Sequence, residues 1–172
     1  MLNFIAVRDH RLMHRLNNWR APRWIRIWMI GATRAGDGWL WYAIALGILL
    51  FGGHERFSAL AAGVVASAVG TLIFLAVKRT TGRKRPCAIA EHCWAKLLPP
   101  DQFSFPSGHS INAFAAAVSF GLFYPELLPG LLFCAGSVAV SRIVLGMHFL
   151  SDVVVGSALG ATLGYIGYVI YS

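Results

Sequence analysis

Charged residues are scarce in this sequence. Asp, Glu, Lys and Arg together make up 13% of its 172 residues, about half the proportion that is usual in soluble domains. Hydrophobic residues make up 57% of the chain. The length suits a single domain, and a single domain in water could not bury so much apolar surface. The scarcity of charge therefore excludes the ordinary soluble classes and indicates a protein whose solvent is a lipid bilayer.

Acidic residues are the scarcest charged group. Seven Asp and Glu residues stand against 15 Lys and Arg residues, which gives a net charge of +8. Most of the basic residues fall in residues 8–34 and 78–96, and both regions border long uncharged runs. A nucleic-acid partner is disfavoured by this arrangement, because the charge does not gather on a soluble recognition helix. Anionic membrane lipid is the better match for a cationic membrane protein.

Cysteine is also rare, and no secretory signal is evident. Cys134 lies in an apolar run and is expected to be a small core residue. Cys87 and Cys93 share one polar loop, where they form either a disulfide or two free thiols. The chain has no apolar run of signal-peptide length before its first arginines, so we expect membrane insertion to depend on internal spans.

Five apolar stretches account for most of the chain. A spanning helix needs roughly 20 apolar residues, and its backbone must be helical because lipid offers no other hydrogen-bond partner. The first stretch is short, and the fourth carries one charge near its end. The stretches are Gly38–Gly53, Phe57–Val77, Gln102–Pro125, Leu127–Met147 and Val153–Ser172. They predict an all-α, polytopic transmembrane helix bundle of about five spans over residues 36–172.

Residues 1–35 have a different pattern, in which seven arginines alternate with leucine, isoleucine and tryptophan. No window in this region is long enough to span a bilayer. We interpret it as one or two amphipathic helices that lie in the membrane interface and are divided at Pro22. A solvated arm is the alternative. A sixth span hidden in residues 22–36 would have to bury Arg23, Arg26 and Arg34, which is costly.

The first candidate motif is KRTTGRKRP at residues 78–86, directly after the second apolar stretch. A basic flank of this kind can simply fix the topology of the preceding span. It can also clamp a phosphate, since Lys supplies a point charge and Arg supplies two parallel hydrogen bonds. Taken alone, the motif leaves both interpretations open.

The second motif is FPSGHS at residues 105–110, near the start of the third stretch, which carries no formal charge. Proline suits the first turn of a helix, and glycine lets the backbone approach a ligand closely. Exposed amides at a helix N-terminus form an anion site that His109 would face. An ordinary helix cap with an incidental histidine is the alternative.

The third motif consists of Ser141 and Arg142 followed by His148 and Asp152. The spacing of four between His148 and Asp152 predicts that they share one helix face, so that the carboxylate holds one ring nitrogen and leaves the other to attack. A structural His–Asp pair is the alternative. If the spans alternate, all three motifs meet at one face of the membrane.

The three motifs together resemble those of the type 2 phosphatidic acid phosphatase superfamily, which also contains bacterial acid phosphatases and vanadium haloperoxidases. Every motif position matches, and the resemblance covers about residues 36–172. The matching positions are Lys78, Arg85 and Pro86 in Lys-x6-Arg-Pro, Pro106 to His109 in Pro-Ser-Gly-His, and Ser141, Arg142, His148 and Asp152 in Ser-Arg-x5-His-x3-Asp. Membrane members usually have six spans, and here the first is reduced to the basic N-terminal segment.

The resemblance implies a metal-independent lipid phosphatase that needs no cofactor. His148 would attack phosphorus to form a phosphohistidine, Asp152 would orient His148, and His109 would protonate the leaving lipid oxygen. Asp152 is the only acidic residue close to the motif histidines in sequence, too few for a magnesium cage. The non-bridging oxygens would be bound by Lys78, Arg85, Ser107, Gly108 and Arg142.

The resemblance does not name the substrate. Family members act on undecaprenyl diphosphate, phosphatidylglycerophosphate, phosphatidate and the phosphates of lipid A, and we favour the polyprenyl diphosphate or lipid A phosphate of a bacterial inner membrane. A lipid-binding or transport protein that retains the fold is the alternative, and a haloperoxidase is disfavoured because those relatives are soluble. The positive-inside rule places the basic face in the cytoplasm. The family places its site in the periplasm, which we favour.

Overall fold

The computed structural model of the chain describes residues 2–89 and 102–172. Apart from one isolated bridge between Lys84 and Phe103, the regular structure in these residues is helical. A short 3₁₀ turn, Gly53–Glu55, precedes the fourth helix. The helices are α1 (Leu2–Asn18), α2 (Arg23–Ala35), α3 (Trp39–Phe51), α4 (Arg56–Thr81), α5 (Pro86–Ile89), α6 (Gly108–Phe123), α7 (Leu128–Val144) and α8 (Leu150–Tyr171). The all-α prediction is confirmed.

Each of the five apolar stretches coincides largely with one of the helices α3, α4, α6, α7 and α8. By length and composition, the helical segment Gly53–Thr81 and α8 can each cross a membrane, while α3 and α7 are apolar but shorter. The count of five spans therefore stays a prediction. The candidate pair of Cys87 and Cys93 includes a residue outside the described part of the chain, so it also stays open.

The helices of the third and fifth stretches begin close to their motifs. Helix α6 begins at Gly108, as the second motif predicts, because Ser107 adopts an extended conformation and caps the helix with its side chain. Helix α8 begins at Leu150, so Asp152 lies in its first turn and His148 lies outside it. This boundary changes how the two residues of the third motif can meet.

Helix α6 lies at the centre and packs against α4, α7 and α8. A stripe of glycines on α8 permits the closest of these contacts. A Cβ atom at Gly156 would lie 2.7 Å from the carbonyl oxygen of Ser107, and one at Gly164 would lie 2.6 Å from that of Ala115. Gly160 faces the carbonyl of Ile111 in the same way. Small residues that allow backbone contact are a common means of helix association in membranes, and here they hold the N-termini of α6 and α8 together.

The N-terminal region is divided as predicted, since α1 ends at Asn18 and Pro22 is the N-cap of α2. Helix α2 packs against α7 and buries Met29, Ala32 and Thr33, while Trp24 and Ile27 remain exposed. Both α1 and α2 thus contact the helix bundle. Their placement at the membrane surface stays a prediction.

Candidate active site

The three motifs meet at a cavity of about 400 Å³. It lies where α4 and α7 end and where α6 and α8 begin. Its lining residues are Gly36, Asp37, Thr71, Phe74, Arg85, Gly108, His109, Asn112, Arg142 and His148. Five of the eight predicted site residues therefore line the cavity. The other three, Lys78, Ser107 and Asp152, are buried around it.

A sharp turn after α7 brings His148 into the site. Gly146 has a φ of +68°, a left-handed conformation that glycine adopts without strain. The amides of Met147 and His148 then both donate to the carbonyl oxygen of Arg142, each at 3.0 Å. The turn therefore places the histidine beside the arginine of the same motif.

The ring of His148 is fixed in one tautomer by its contacts. Its Nδ1 lies 2.5 Å from the carbonyl oxygen of Ser104, which can only accept, so Nδ1 carries the hydrogen. The other nitrogen, Nε2, is then unprotonated and lies 3.1 Å from Nη1 of Arg85, which donates to it. The same Nη1 donates to the carbonyl oxygen of Met147 at 2.8 Å. The lone pair of Nε2 therefore lies next to a guanidinium group. A nucleophile for an anionic phosphate needs both features, a free lone pair and a nearby positive charge.

Burial also keeps His148 neutral. Only 3% of the residue is exposed. Burial, which disfavours the charged imidazolium, is the main cause that lowers the pKa of His148 to about 4, and the nearby Arg85 and Arg142 act in the same direction. The Asp152 carboxylate opposes them. At neutral pH the ring is therefore uncharged.

Asp152 does not hold the histidine ring as predicted. Its Oδ2 lies 3.8 Å from Nδ1 of His148 and accepts a hydrogen bond from the amide of Phe149 at 2.8 Å. Its Oδ1 accepts from Nη1 of Arg83 at 2.6 Å. His148 precedes α8, so the two residues do not share one helix face and the direct hydrogen bond to the ring is not formed. The carboxylate still lies close to the ring and raises the pKa of His148, so its supporting role stays a prediction. Asp152 instead fixes the backbone that carries His148.

His109 faces the cavity from the first turn of α6. Its side chain is 24% exposed, and its Nε2 lies 2.9 Å from Oδ1 of Asp37. Asp37 lies between α2 and α3 and was not predicted as a site residue. Gly36, the preceding residue, leaves room for the ring, because a Cβ atom there would lie 3.2 Å from its Cδ2. The pair gives the second histidine a carboxylate partner and access to the cavity.

The other two cations of the predicted phosphate site, Arg142 and Lys78, also have defined contacts. Arg142 is buried, and its Nη1 donates to the hydroxyl of Thr33 in α2 at 2.6 Å. Lys78 is also buried and places its Nζ 4.5 Å from the centre of the Phe74 ring, a residue that lines the cavity. Arg142 therefore lines the cavity directly, while Lys78 adds positive charge behind its wall.

Ser107 links helices and does not face the cavity. Its amide donates to the carbonyl oxygen of Asp152 at 3.1 Å, and its hydroxyl accepts from the hydroxyl of Ser110 at 2.9 Å. Both groups serve the junction of α6 and α8, and the predicted contact of Ser107 with phosphate stays a prediction. Gly108 does line the cavity, and a Cβ atom there would approach the Phe74 ring to 3.3 Å.

The sequence did not predict the contacts made by Ser104, Thr33, Asp37 and Arg83. It also did not predict that Oδ2 of Asp9 lies 2.7 Å from Nη2 of Arg83. Ser104 acts through a backbone carbonyl, which leaves no trace in residue type. The acidic residues had a usable signal, since a chain with only seven of them has few to place beside its histidines and arginines.

Comparison with known proteins gives consistent matches. A family model described as the PAP2 superfamily matches residues 57–172. The decaprenylphosphoryl-5-phosphoribose phosphatase of Mycobacterium tuberculosis is 41% identical over 132 residues, which are 75% of this chain and 69% of that protein. The lipid A 1-phosphatase of Rhizobium johnstonii is 29% identical over 161 residues, which are 81% of this chain and 65% of that protein.

A solved structure matches over nearly the whole chain. It is the transmembrane PAP2-type phosphatidylglycerolphosphate phosphatase of Bacillus subtilis, with a TM-score of 0.74 and 26% sequence identity, and it covers 98% of this chain and 86% of that one. These matches confirm the transmembrane helical architecture and the class of lipid phosphatase predicted from the motifs. The chain belongs to the PAP2 superfamily.

Proposed function

We propose that the chain is an integral-membrane lipid phosphatase that acts through a phosphohistidine on His148. The observation that carries the proposal is the unprotonated Nε2 of His148, which lines one cavity together with Arg85, Arg142 and His109. Phosphoryl transfer depends mainly on positioning and on stabilising the charge of the phosphate oxygens. The cavity supplies a fixed nucleophile, two guanidinium groups and a histidine for proton transfer.

The reaction proceeds in two steps. In the first, Nε2 of His148 bonds to phosphorus, the bond from phosphorus to the lipid oxygen breaks, and His109 gives that oxygen a proton. In the second, His109 accepts a proton from water as the water oxygen bonds to phosphorus, the bond to Nε2 breaks, and inorganic phosphate leaves. His109 thus acts first as an acid and then as a base.

Arg85 changes partner when substrate binds. Its Nη1 donates to Nε2 of His148 in the structure. A phosphate group placed for attack would bring a non-bridging oxygen to the same guanidinium, and a charged acceptor forms the stronger hydrogen bond. Exchange of this hydrogen bond frees the lone pair of Nε2 at the moment when phosphorus is in reach.

The substrate is a phosphate ester or diphosphate of a membrane lipid. Support comes from the relatives, whose names specify a polyprenyl phosphosugar, lipid A and phosphatidylglycerolphosphate. Within this class we favour a polyprenyl diphosphate or a lipid A phosphate.

Phosphate release from the purified protein in detergent tests the function. The panel contains undecaprenyl diphosphate, lipid A, phosphatidylglycerophosphate and phosphatidate, with His148→Ala as the negative control. We expect release from at least one lipid and none above background from the variant. Equal release by both proteins, or none from any lipid, would contradict the proposal.

We further propose that the protein lies in a bacterial inner membrane with its site facing the periplasm. The basic residues of this face are a weak argument for a cytoplasmic site, since Arg83, Arg85 and Arg142 already have partners inside the protein. A single cysteine introduced at exposed Thr80, with the native cysteines replaced by serine, tests this. Labelling by an impermeant maleimide in intact spheroplasts supports a periplasmic site, and protection contradicts it.

A further inference from the structure

A cluster of charged residues lies behind His148, on the side away from the cavity. Asp9 of α1 is 5% exposed, and its Oδ2 lies 2.7 Å from Nη2 of Arg83. The same carboxylate accepts hydrogen bonds from the hydroxyl of Ser151 at 2.5 Å and from its amide at 3.2 Å. On its other side, Arg83 reaches Oδ1 of Asp152 at 2.6 Å. One guanidinium group therefore joins two carboxylates that come from opposite ends of the chain.

The cluster needs the positive charge of Arg83. Asp9 and Asp152 are both buried, and two buried carboxylates that share a site repel each other unless a cation separates them. Each nitrogen at the end of Arg83 faces one carboxylate, which is the fork geometry that lysine cannot reproduce. The residue is therefore specified as arginine by its contacts, although it is outside the family motif positions matched in the sequence.

Arg83 reaches the nucleophile along two routes. Its side chain holds Asp152, which accepts from the amide of Phe149, the neighbour of His148, and its guanidinium lies 4.2 Å from the centre of the Phe149 ring. Its backbone carbonyl accepts from the amide of Ser104 at 2.8 Å, and the carbonyl of Ser104 accepts from Nδ1 of His148. Arg83 thus supports the backbone of His148 by way of Asp152, and it supports the imidazole ring of His148 by way of Ser104.

We propose that Arg83 is a positioning residue for His148 and that Asp9, supplied by the N-terminal helix α1, holds Arg83 in place. This inference rests on the proposed function. Of the described residues, the arginines that line the cavity are Arg85 and Arg142, so Arg83 acts through its neighbours and not on the phosphate. Helix α1 then helps to position His148 through Asp9, in addition to any role at the membrane surface.

The test measures kcat and KM for p-nitrophenyl phosphate with detergent-purified Arg83→Lys and Asp9→Asn proteins that elute as folded, monodisperse species. A misplacement of the nucleophile by about 1 Å costs about 100-fold, so we expect kcat to fall by about that factor in Arg83→Lys. We expect about a tenfold fall in Asp9→Asn, with KM within about twofold of wild type in both. Arg79→Lys and Glu126→Gln, both at exposed positions, are the matched controls and should retain activity.

The double variant separates positioning from general destabilisation. Because Asp9 acts through Arg83, Arg83→Lys combined with Asp9→Asn should be no slower than Arg83→Lys alone. Labelling in native membranes with a radiolabelled phosphate ester, followed by an alkaline quench, should show slower phosphohistidine formation in each variant even where purification fails. A kcat within about threefold of wild type in Arg83→Lys, or a raised KM with unchanged kcat, would overturn the inference. If wild type released no phosphate, the proposed function itself would fail instead.

Discussion

His148 and His109 face the same cavity from two walls that are built differently. His148 is 3% exposed, and its ring is held between a backbone carbonyl and Arg85. The side chain of His109 is 24% exposed and is held by one carboxylate, that of Asp37. A nucleophile gains from a fixed lone pair, while an acid that later becomes a base must exchange protons with substrate and water. The difference in surroundings therefore assigns different roles to two residues of the same type.

Removal of the fixed histidine should have the largest effect. We expect His148→Ala to lower kcat/KM by at least about 10⁴-fold, because a nucleophile has no substitute in the cavity. The loss should be the same for an alkyl phosphate and for p-nitrophenyl phosphate, since both must be attacked. His54→Ala, an exposed histidine in the turn before α4, is the control and should be fully active. A His148→Ala protein with near-normal turnover would remove the residue from the mechanism.

Removal of the accessible histidine should have an effect that depends on the leaving group. For an alkyl phosphate we expect His109→Ala to lower kcat/KM by about 10³-fold, the usual contribution of a general acid. For p-nitrophenyl phosphate the first step should be much less affected, because p-nitrophenolate leaves without a proton. The measurement is the pre-steady-state burst of p-nitrophenol. An equally large loss of the burst would show that His109 does more than supply a proton.

Substitution of Arg142, which lines the cavity together with both histidines, should have a milder effect. We expect Arg142→Lys to lower kcat/KM by about 10²-fold, since lysine cannot donate two parallel hydrogen bonds to phosphate while it remains bonded to Thr33. Steady-state kinetics with p-nitrophenyl phosphate give the value, and Arg79→Lys serves as the matched control. Unchanged kcat/KM in Arg142→Lys would exclude Arg142 from the phosphate site.

The partner of His109 should matter less than the histidine itself. Asp37→Asn keeps the size of the side chain and removes its charge. We expect about a tenfold loss of kcat with an alkyl phosphate, equivalent to one charge-assisted hydrogen bond of about 1.5 kcal/mol. Glu126→Gln tests the same chemical change at an exposed position. A loss as large as that of His109→Ala would show that Asp37 is as essential to proton transfer as the histidine itself.

The smallest expected effect is the protonation of His148, which occurs only in acid and does not occur at neutral pH. With a pKa of about 4, caused mainly by burial, His148 is neutral above that pH and becomes protonated only below it. Histidine-labelled NMR of the protein in detergent should show a ring with a titration midpoint near 4 that disappears in His148→Asn. A midpoint close to the ordinary value of 6.5 would show that the ring is more exposed to water than the structure describes.

The sequence predicts the residues that line the cavity better than the residues that support them. The apolar stretches and the motif spacing are local patterns, and they predicted the helices and the residues Arg85, His109, Arg142 and His148 at one face. The alternation of spans was sufficient to bring these together, because each motif stands at the end of a helix.

The supporting residues could not be predicted from local patterns. Asp37, Thr33 and Asp9 come from the region that we interpreted as an interfacial segment or from its border, and tertiary packing alone places them beside the motifs. The hydrogen bond assigned to Asp152 failed for a related reason, since it depended on a helix boundary only two residues away. Helix ends are decided by capping and turns such as that at Gly146, which a hydropathy pattern does not record.

The most direct test of the account is to identify the phosphorylated residue. Wild-type protein is mixed with a radiolabelled phosphate ester, quenched in alkali during turnover, digested and mapped by mass spectrometry. We expect an acid-labile label on His148 that is absent from His148→Ala. With p-nitrophenyl phosphate as the ester, the label should accumulate in His109→Ala, because the first step needs no proton while hydrolysis of the phosphohistidine is slowed. A label on another residue, or a label that persists in His148→Ala, would contradict it.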